Sequence, residues 1–288
     1  MMTSLRQLIE RPELKASFST HATGWAAWAS TMGSCVEPAQ EPALAAEALG
    51  YLIQWELGRW GQGGSVPIAQ SGWLAQIGLH NLARQDATCA HAPLWEGWMR
   101  DAMRQVAQHV HGPAALPFRA RATIAWRLAH LNALCGVSLR SSASFGHLPT
   151  PDPMQLHQLS VWLRRWQKGW QTEPMPRRRV WIHPDLAHGG CVQHAGEISL
   201  IMDGTLLGLR TFADGLSPPW VRHLAGQAAW ARIAGVHGVK GNVILTDLAV
   251  CLVRQPEGSR WKKIALAELF PGEGWNAYCK DLAQAARM

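Results

Sequence analysis

A two-residue turn between apolar runs constrains this fold more than any other stretch. From Gly196 to Thr211 the chain reads Gly-Glu-Ile-Ser-Leu-Ile-Met-Asp-Gly-Thr-Leu-Leu-Gly-Leu-Arg-Thr. Glu197 to Met202 alternates polar and apolar residues and then turns wholly apolar, and Thr205 to Leu209 resumes the apolar pattern. Asp-Gly between such runs signals a tight hairpin, because this pair tolerates the backbone that a two-residue connection demands. The stretch therefore predicts two antiparallel strands joined at Asp203-Gly204, and with them a sheet for the hairpin to belong to.

The remaining elements follow from periodicity and punctuation. Residues 3–18 read as a short amphipathic helix broken or restarted at Pro12, and 20–40 as loop, with Trp25 and Trp28 as anchors. A helix is expected over 41–60, with Pro42 in its first turn and Leu44, Ala48, Tyr51, Leu52 and Trp55 at helical spacing. Further helices are expected at 69–87, 92–111 and 117–136. Asp152 reads as an N-cap with Pro153 at the first helical position, opening a helix with Leu156, Leu159, Leu163 and Trp166 on one face and Arg164, Arg165 and Lys168 toward the other. After a breaker at 173–176 come a short strand at Val180 to Ile182, the hairpin, and a helix from Ser217-Pro218-Pro219 to about Ile233. Asn242 to Thr246 and Ala249 to Val253 read as two strands, and 265–270 and 275–286 as closing helices. This order predicts an α+β chain: a mainly helical region over 1–150, then a mixed sheet flanked by helices over 151–288, the two read together as one continuous domain.

Composition narrows the partners. Of 288 residues 48% are hydrophobic, enough for a sizeable core. No apolar run is long enough to span a bilayer, and no signal-peptide pattern opens the chain. The six cysteines are scattered singly, as buried thiols in a reducing compartment would be, so a cytoplasmic location is expected. A formal charge of +7 makes nucleic acid a plausible partner. Charged residues are only 16% of the chain while tryptophan occurs 16 times, so part of the tryptophan surface is a candidate for contact with another protein.

With these elements in place, the second half resembles the PD-(D/E)XK nuclease superfamily. Members carry a hairpin of the type Gly-Ala-Asp-Ala-Asp-Leu-Ile-hydrophobic-Asp-Asp-Thr-Leu-Ile-Asp-Ile-Lys-Thr, and Gly196–Thr211 runs in the same frame. Ala46 to Trp55 is similar to their first core helix, and His223-Leu224-Ala225-Gly226-Gln227 to the Gln-Leu-Leu-Gly-Tyr of the later one. The resemblance implies a restriction-endonuclease-like mixed sheet flanked by helices. It also shows what is missing: Ser199 stands at the hairpin aspartate position, Gly208 at the second acidic position, Arg210 at the lysine position and Gly50 at the acidic position of the first helix. Such nucleases hold Mg²⁺ with two hairpin carboxylates, and serine and glycine cannot neutralise a divalent cation. Arginine stays protonated but grips phosphate well.

Three functions are compatible with these substitutions. The first is a catalytically inactive nuclease-like protein that binds nucleic acid, DNA before RNA, in a larger complex; the resemblance suggests phage defence or a mobile element as its setting. The second is an active Mg²⁺-dependent nuclease with relocated carboxylates, for which Glu197, Asp203 and Glu47 are the candidates; against this, Asp203 reads most simply as a turn residue. The third is a protein-interaction scaffold without nucleic-acid contact. For nucleic acid the candidate residues are Arg177, Arg178, Arg179, Arg210, Arg164, Arg165, Lys168, Lys262 and Lys263, with Trp162, Trp166, Trp170 and Trp181 either stacking on bases or lying in the core. His183, His188, Cys191 and His194 are the only ligand-dense cluster, though their spacing matches no strong zinc pattern. No cofactor is expected apart from Mg²⁺ if catalysis survives.

Overall fold

The computed structural model describes residues 3–30, 43–61, 78–79, 92–135, 149–170, 179–182, 186, 191–194, 200–210, 217–236, 243–252 and 260–287. Its centre is a five-stranded mixed sheet built from β2 (Val180–Ile182), β4 (Leu200–Met202), β5 (Thr205–Arg210), β6 (Asp247–Leu252) and β7 (Arg260–Ala265), in that spatial order. The pairings β2–β4, β4–β5 and β6–β7 are antiparallel and β5–β6 is parallel. A parallel neighbour needs a crossover, and α8 (Pro218–Ala234) supplies it. Separately, β1 (Thr3–Ser4) pairs in parallel with β3 (Val192–His194).

Alternation along the strands makes the sheet two-faced. Leu200, Met202, Leu207, Ala249 and Cys251 enter one core, with α4 (Ala43–Trp60), α5 (Ala92–His111), α6 (Phe118–Cys135) and α7 (Pro153–Trp170). Ile201, Leu206, Leu248, Val250 and Ile264 enter the other, with α1 (Leu5–Ile9), α2 (Pro12–His21), α3 (Trp25–Ser30), α8, α9 (Leu266–Leu269) and α10 (Gly274–Ala285). The chain is thus α+β, with helices on both faces of the sheet. α4 is buried nearly all round, from Leu49 and Tyr51 through Leu57, because α5, α6, α7 and β2 all pack on it. α7 reaches the sheet through Trp166, whose ring stacks on Trp60 at 5.4 Å and whose Nε1 donates to Cys251 Sγ at 3.3 Å. Its start is fixed as the sequence predicts: Gln155 N donates to Asp152 Oδ1 at 2.8 Å and Asp152 N to Gln155 Oε1 at 2.9 Å, a reciprocal cap.

Three expectations need correction. Residues 243–246 are not a strand. Thr246 N donates to Gly204 O at 2.8 Å, so this segment lies at the hairpin turn, before β5 begins; pairing starts at Thr205 opposite Asp247. The second strand of that region is instead β7, missed because Arg260-Trp261-Lys262-Lys263 reads as polar; an edge strand paired only with β6 tolerates such residues. Finally, residues 25–30, read as loop, form α3, held down by buried Trp28. Of the helix expected over 69–87, only Gly78 and Leu79 lie within the described residues, and both are helical.

Candidate nucleic-acid interface

The hairpin turn is what Asp-Gly chemistry requires. Asp203 and Gly204 have φ of 45° and 81°, both left-handed. The Asp203 carboxylate is engaged at the turn itself. Its Oδ1 accepts from Arg179 N at 2.8 Å, and Asp203 N donates to Arg179 O at 3.1 Å, so the residue ties the turn to the start of β2. Asp203→Ala is therefore expected to cost about 1–2 kcal/mol of stability, through the broken bond and the positive φ, while Asp203→Asn stays near the parent. Guanidinium unfolding checks this; loss of a nuclease activity at unchanged stability would instead mark Asp203 as catalytic.

The second acidic position is closed. Gly208 is buried on β5 on the face toward α8, and a Cβ there would lie 2.6 Å from two atoms of the Trp220 indole and 3.4 Å from Leu224 Cδ1. The ring occupies the space a side chain would need. Position 50 differs: a Cβ at Gly50 would meet nothing within 4 Å, so that position has room but no ligand. Glu47 is exposed one turn earlier on α4 and accepts from Asn132 Nδ2 at 2.7 Å, the same amide that donates to Tyr51 Oη at 2.7 Å. On α8, Gln227 is buried and His223 half-buried; burial, and then the charge of Arg6, hold the His223 ring neutral down to about pH 4. Glu197 and Ser199 lie outside the described residues. With glycine at 208, an indole against it and Glu47 and Asp203 engaged in structural hydrogen bonds, the described residues do not fit the Mg²⁺ centre that the resemblance implies.

Among the described residues no group of three or more His, Cys, Asp or Glu side chains is placed to hold a metal ion. Of the proposed His/Cys cluster, His183 and His188 lie outside the described residues, Cys191 is half-buried, and the His194 backbone belongs to β3. No described helix is long and apolar enough to cross a membrane.

The described basic residues are spread over several elements. Arg164, Arg165 and Lys168 are together, exposed on the outer side of α7. That helix contains no Asp or Glu, and among the described residues no carboxylate pairs with any of the three. Arg179 is exposed at the hairpin tip. The Arg210 backbone pairs with Leu252 at the other end of β5, roughly 17 Å away at the usual rise per strand residue. Lys262 and Lys263 are on β7, the opposite edge of the sheet from β2, and Lys263 is committed to Asp247 at 2.9 Å. Arg177 and Arg178 lie outside the described residues. Of the rings proposed for base stacking, Trp166 is fully buried, Trp162 nearly so and Trp181 half-buried, while the side chain of Trp170 lies outside the described residues.

One buried and one partly exposed charge cluster leave no trace in the sequence pattern. Between α4, α5 and α6, Arg121 pairs with Glu56 and His109 Nε2 lies 3.7 Å from Glu56 Oε1. Arg59 closes the cluster, donating to the carbonyls of His109, Gly112 and Pro113 at 2.5–3.1 Å. On the other face Arg222 grips Glu10 with bonds of 2.8 and 3.0 Å, and Lys15 adds a third at 3.0 Å. These bonds, Arg222 first, hold the Glu10 carboxyl below its usual range. Both clusters join elements far apart in the chain, so no local spacing reveals them.

Compared with protein-family models, with curated proteins and with solved structures, the chain shows no match.

Proposed function

We propose that this chain is a catalytically inactive, nuclease-like protein that binds nucleic acid, and that α7 is its main contact surface. One observation carries the reading: Arg164, Arg165 and Lys168 are exposed side by side on a helix without acidic residues, free of carboxylate partners among the described residues. Surface cations are ordinarily interleaved with acids, and three left uncompensated form a site for phosphate. The nuclease-like part of the reading rests on the mixed sheet with helices on both faces, with the hairpin at its middle, which agrees with the resemblance in Gly196–Thr211. Its inactivity rests on the indole at Gly208. The protein-interaction alternative draws on sparse charge and abundant tryptophan, and every tryptophan with a described side chain is buried or half-buried.

The test is a shift assay with DNA at about 50 mM salt. Arg164→Glu, Arg165→Glu and Lys168→Glu together are expected to weaken binding by well over tenfold, with the thermal midpoint within a few degrees of the parent because all three positions are exposed. Unchanged affinity in the triple variant would remove α7 from the reading. Cleavage of DNA by the parent with Mg²⁺ or Mn²⁺ would overturn the inactivity.

A further inference from the structure

We infer that the ligand of α7 is duplex DNA, held through its phosphates without stacking on bases and without sequence preference; the inference rests on the nucleic-acid reading above. Proteins that take single strands use aromatic platforms on which successive bases lie, with cations following the backbone. Among the described residues the cations are present, and no ring stands exposed beside them. The rings of α7 with described positions, Trp162 and Trp166, face inward at 9% and 0% exposure, and Trp60 is stacked against Trp166 inside the first core. Among all described side chains the exposed large apolar residues are Leu94, Met154, Ile233 and Ile244, none of them aromatic.

Among the described residues, sequence readout lacks its usual geometry. Base edges are read by carboxamides, carboxylates and bidentate arginines inserted into a groove. Among the described side chains of the C-terminal half of α7, the exposed ones are Arg164, Arg165 and Lys168. The opposite side of the helix is committed to the core through Leu159, Leu163 and Trp166, so the helix lies against the protein rather than projecting from it. What remains is a short cationic ridge on a rigid helix. From Arg164 to Lys168 it runs roughly 6 Å at the helical rise, about the axial length of two base pairs. Such a ridge meets successive phosphates along one strand of a duplex, whose backbone is regular and stiff. A flexible single strand must be ordered first and gains no stacking here to offset that cost.

Fluorescence anisotropy with a labelled duplex of about 24 base pairs, its two separated strands and a second duplex of unrelated sequence tests this, over about 50–200 mM salt. The expected result is tighter binding of duplex than of either strand, by about fivefold or more, and affinities for the two duplexes within about twofold. Neutralising the ridge as Arg164→Gln, Arg165→Gln and Lys168→Gln is expected to reduce the slope of log K against log salt by about 2.7, since each phosphate that a cation neutralises contributes about 0.9. The same number predicts that the ridge's contribution to parent affinity falls roughly forty-fold across that fourfold salt range. Single strands bound as tightly as duplex, or a preference above about tenfold between the duplexes, would overturn this inference while leaving the nucleic-acid reading intact. Absence of binding to every probe at the lowest salt would overturn both.

Discussion

Gly208→Asp, which restores the acid that the resemblance expects, should lower stability by about 3–5 kcal/mol and create no nuclease. The new Cβ would sit 2.6 Å from the far edge of the Trp220 indole, inside any real carbon–carbon contact, so the ring must move or the strand must shift. Overpacking of this kind costs about 1–3 kcal/mol. The carboxylate adds a second cost of about 1–3 kcal/mol, because it enters a buried position between Trp220 and Leu224 with no cation beside it among the described residues. Gly208→Ala carries only the first cost, so the difference between the two variants isolates the charge. Trp220→Ala supplies the control: combined with Gly208→Asp it opens the space, and the double variant should be more stable than the sum of the single losses predicts by about 1 kcal/mol or more. Urea or guanidinium unfolding measures all four proteins. A Gly208→Asp variant within about 0.5 kcal/mol of the parent would mean that the indole yields freely and that position 208 can still accept a ligand.

The indole at Gly208 also shows where sequence reasoning stops. Gly208, Trp220 and Leu224 are apolar or small residues on two different elements, and nothing in their spacing says that they meet. The hairpin was legible because its determinants are local: Asp203-Gly204 sets the turn, and the flanking apolar runs set the strands. So was the start of α7, where Asp152, Pro153 and Gln155 act within one turn. β7 was hidden because its partner, β6, decides its conformation and its own residues are polar. Residues 243–246 misled for the converse reason, since apolar side chains make a strand only where another backbone is within reach. The basic residues follow the same division. Arg164, Arg165 and Lys168 cluster because one helix carries them, whereas Arg179, Arg210, Lys262 and Lys263 are distributed by sheet order, which the chain does not spell out locally.

Glu56 is expected to matter more for stability than any surface cation. Its carboxylate is buried between Arg121 and His109, and Arg121 is itself only 11% exposed, so Glu56→Ala leaves an uncompensated buried guanidinium and should cost about 3–5 kcal/mol. Glu56→Gln keeps most of the volume and removes the charge, which separates the electrostatic loss from the cavity. The same cluster makes stability pH-dependent. Leu116 N donates to His109 Nδ1 at 3.2 Å, so the neutral ring carries its hydrogen on Nε2, the atom nearest Glu56. Burial, and then the charge of Arg59, push the His109 pKa from its ordinary 6.5 down to about 4. Between those two values the unfolded chain binds a proton that the folded chain refuses, so stability falls as pH drops through that window, by roughly 3 kcal/mol in total from this ring. Below about pH 4 both forms are protonated and the ring's contribution is flat. His223, and His130 in the same direction through burial, add to the slope, so His109→Gln should flatten it only in part. Guanidinium unfolding at pH 7.5, 5.5 and 4.5 reads the effect, and a His109→Gln variant with the parent's full acid sensitivity would show that the ring takes up its proton at the same pH in the folded and unfolded chain.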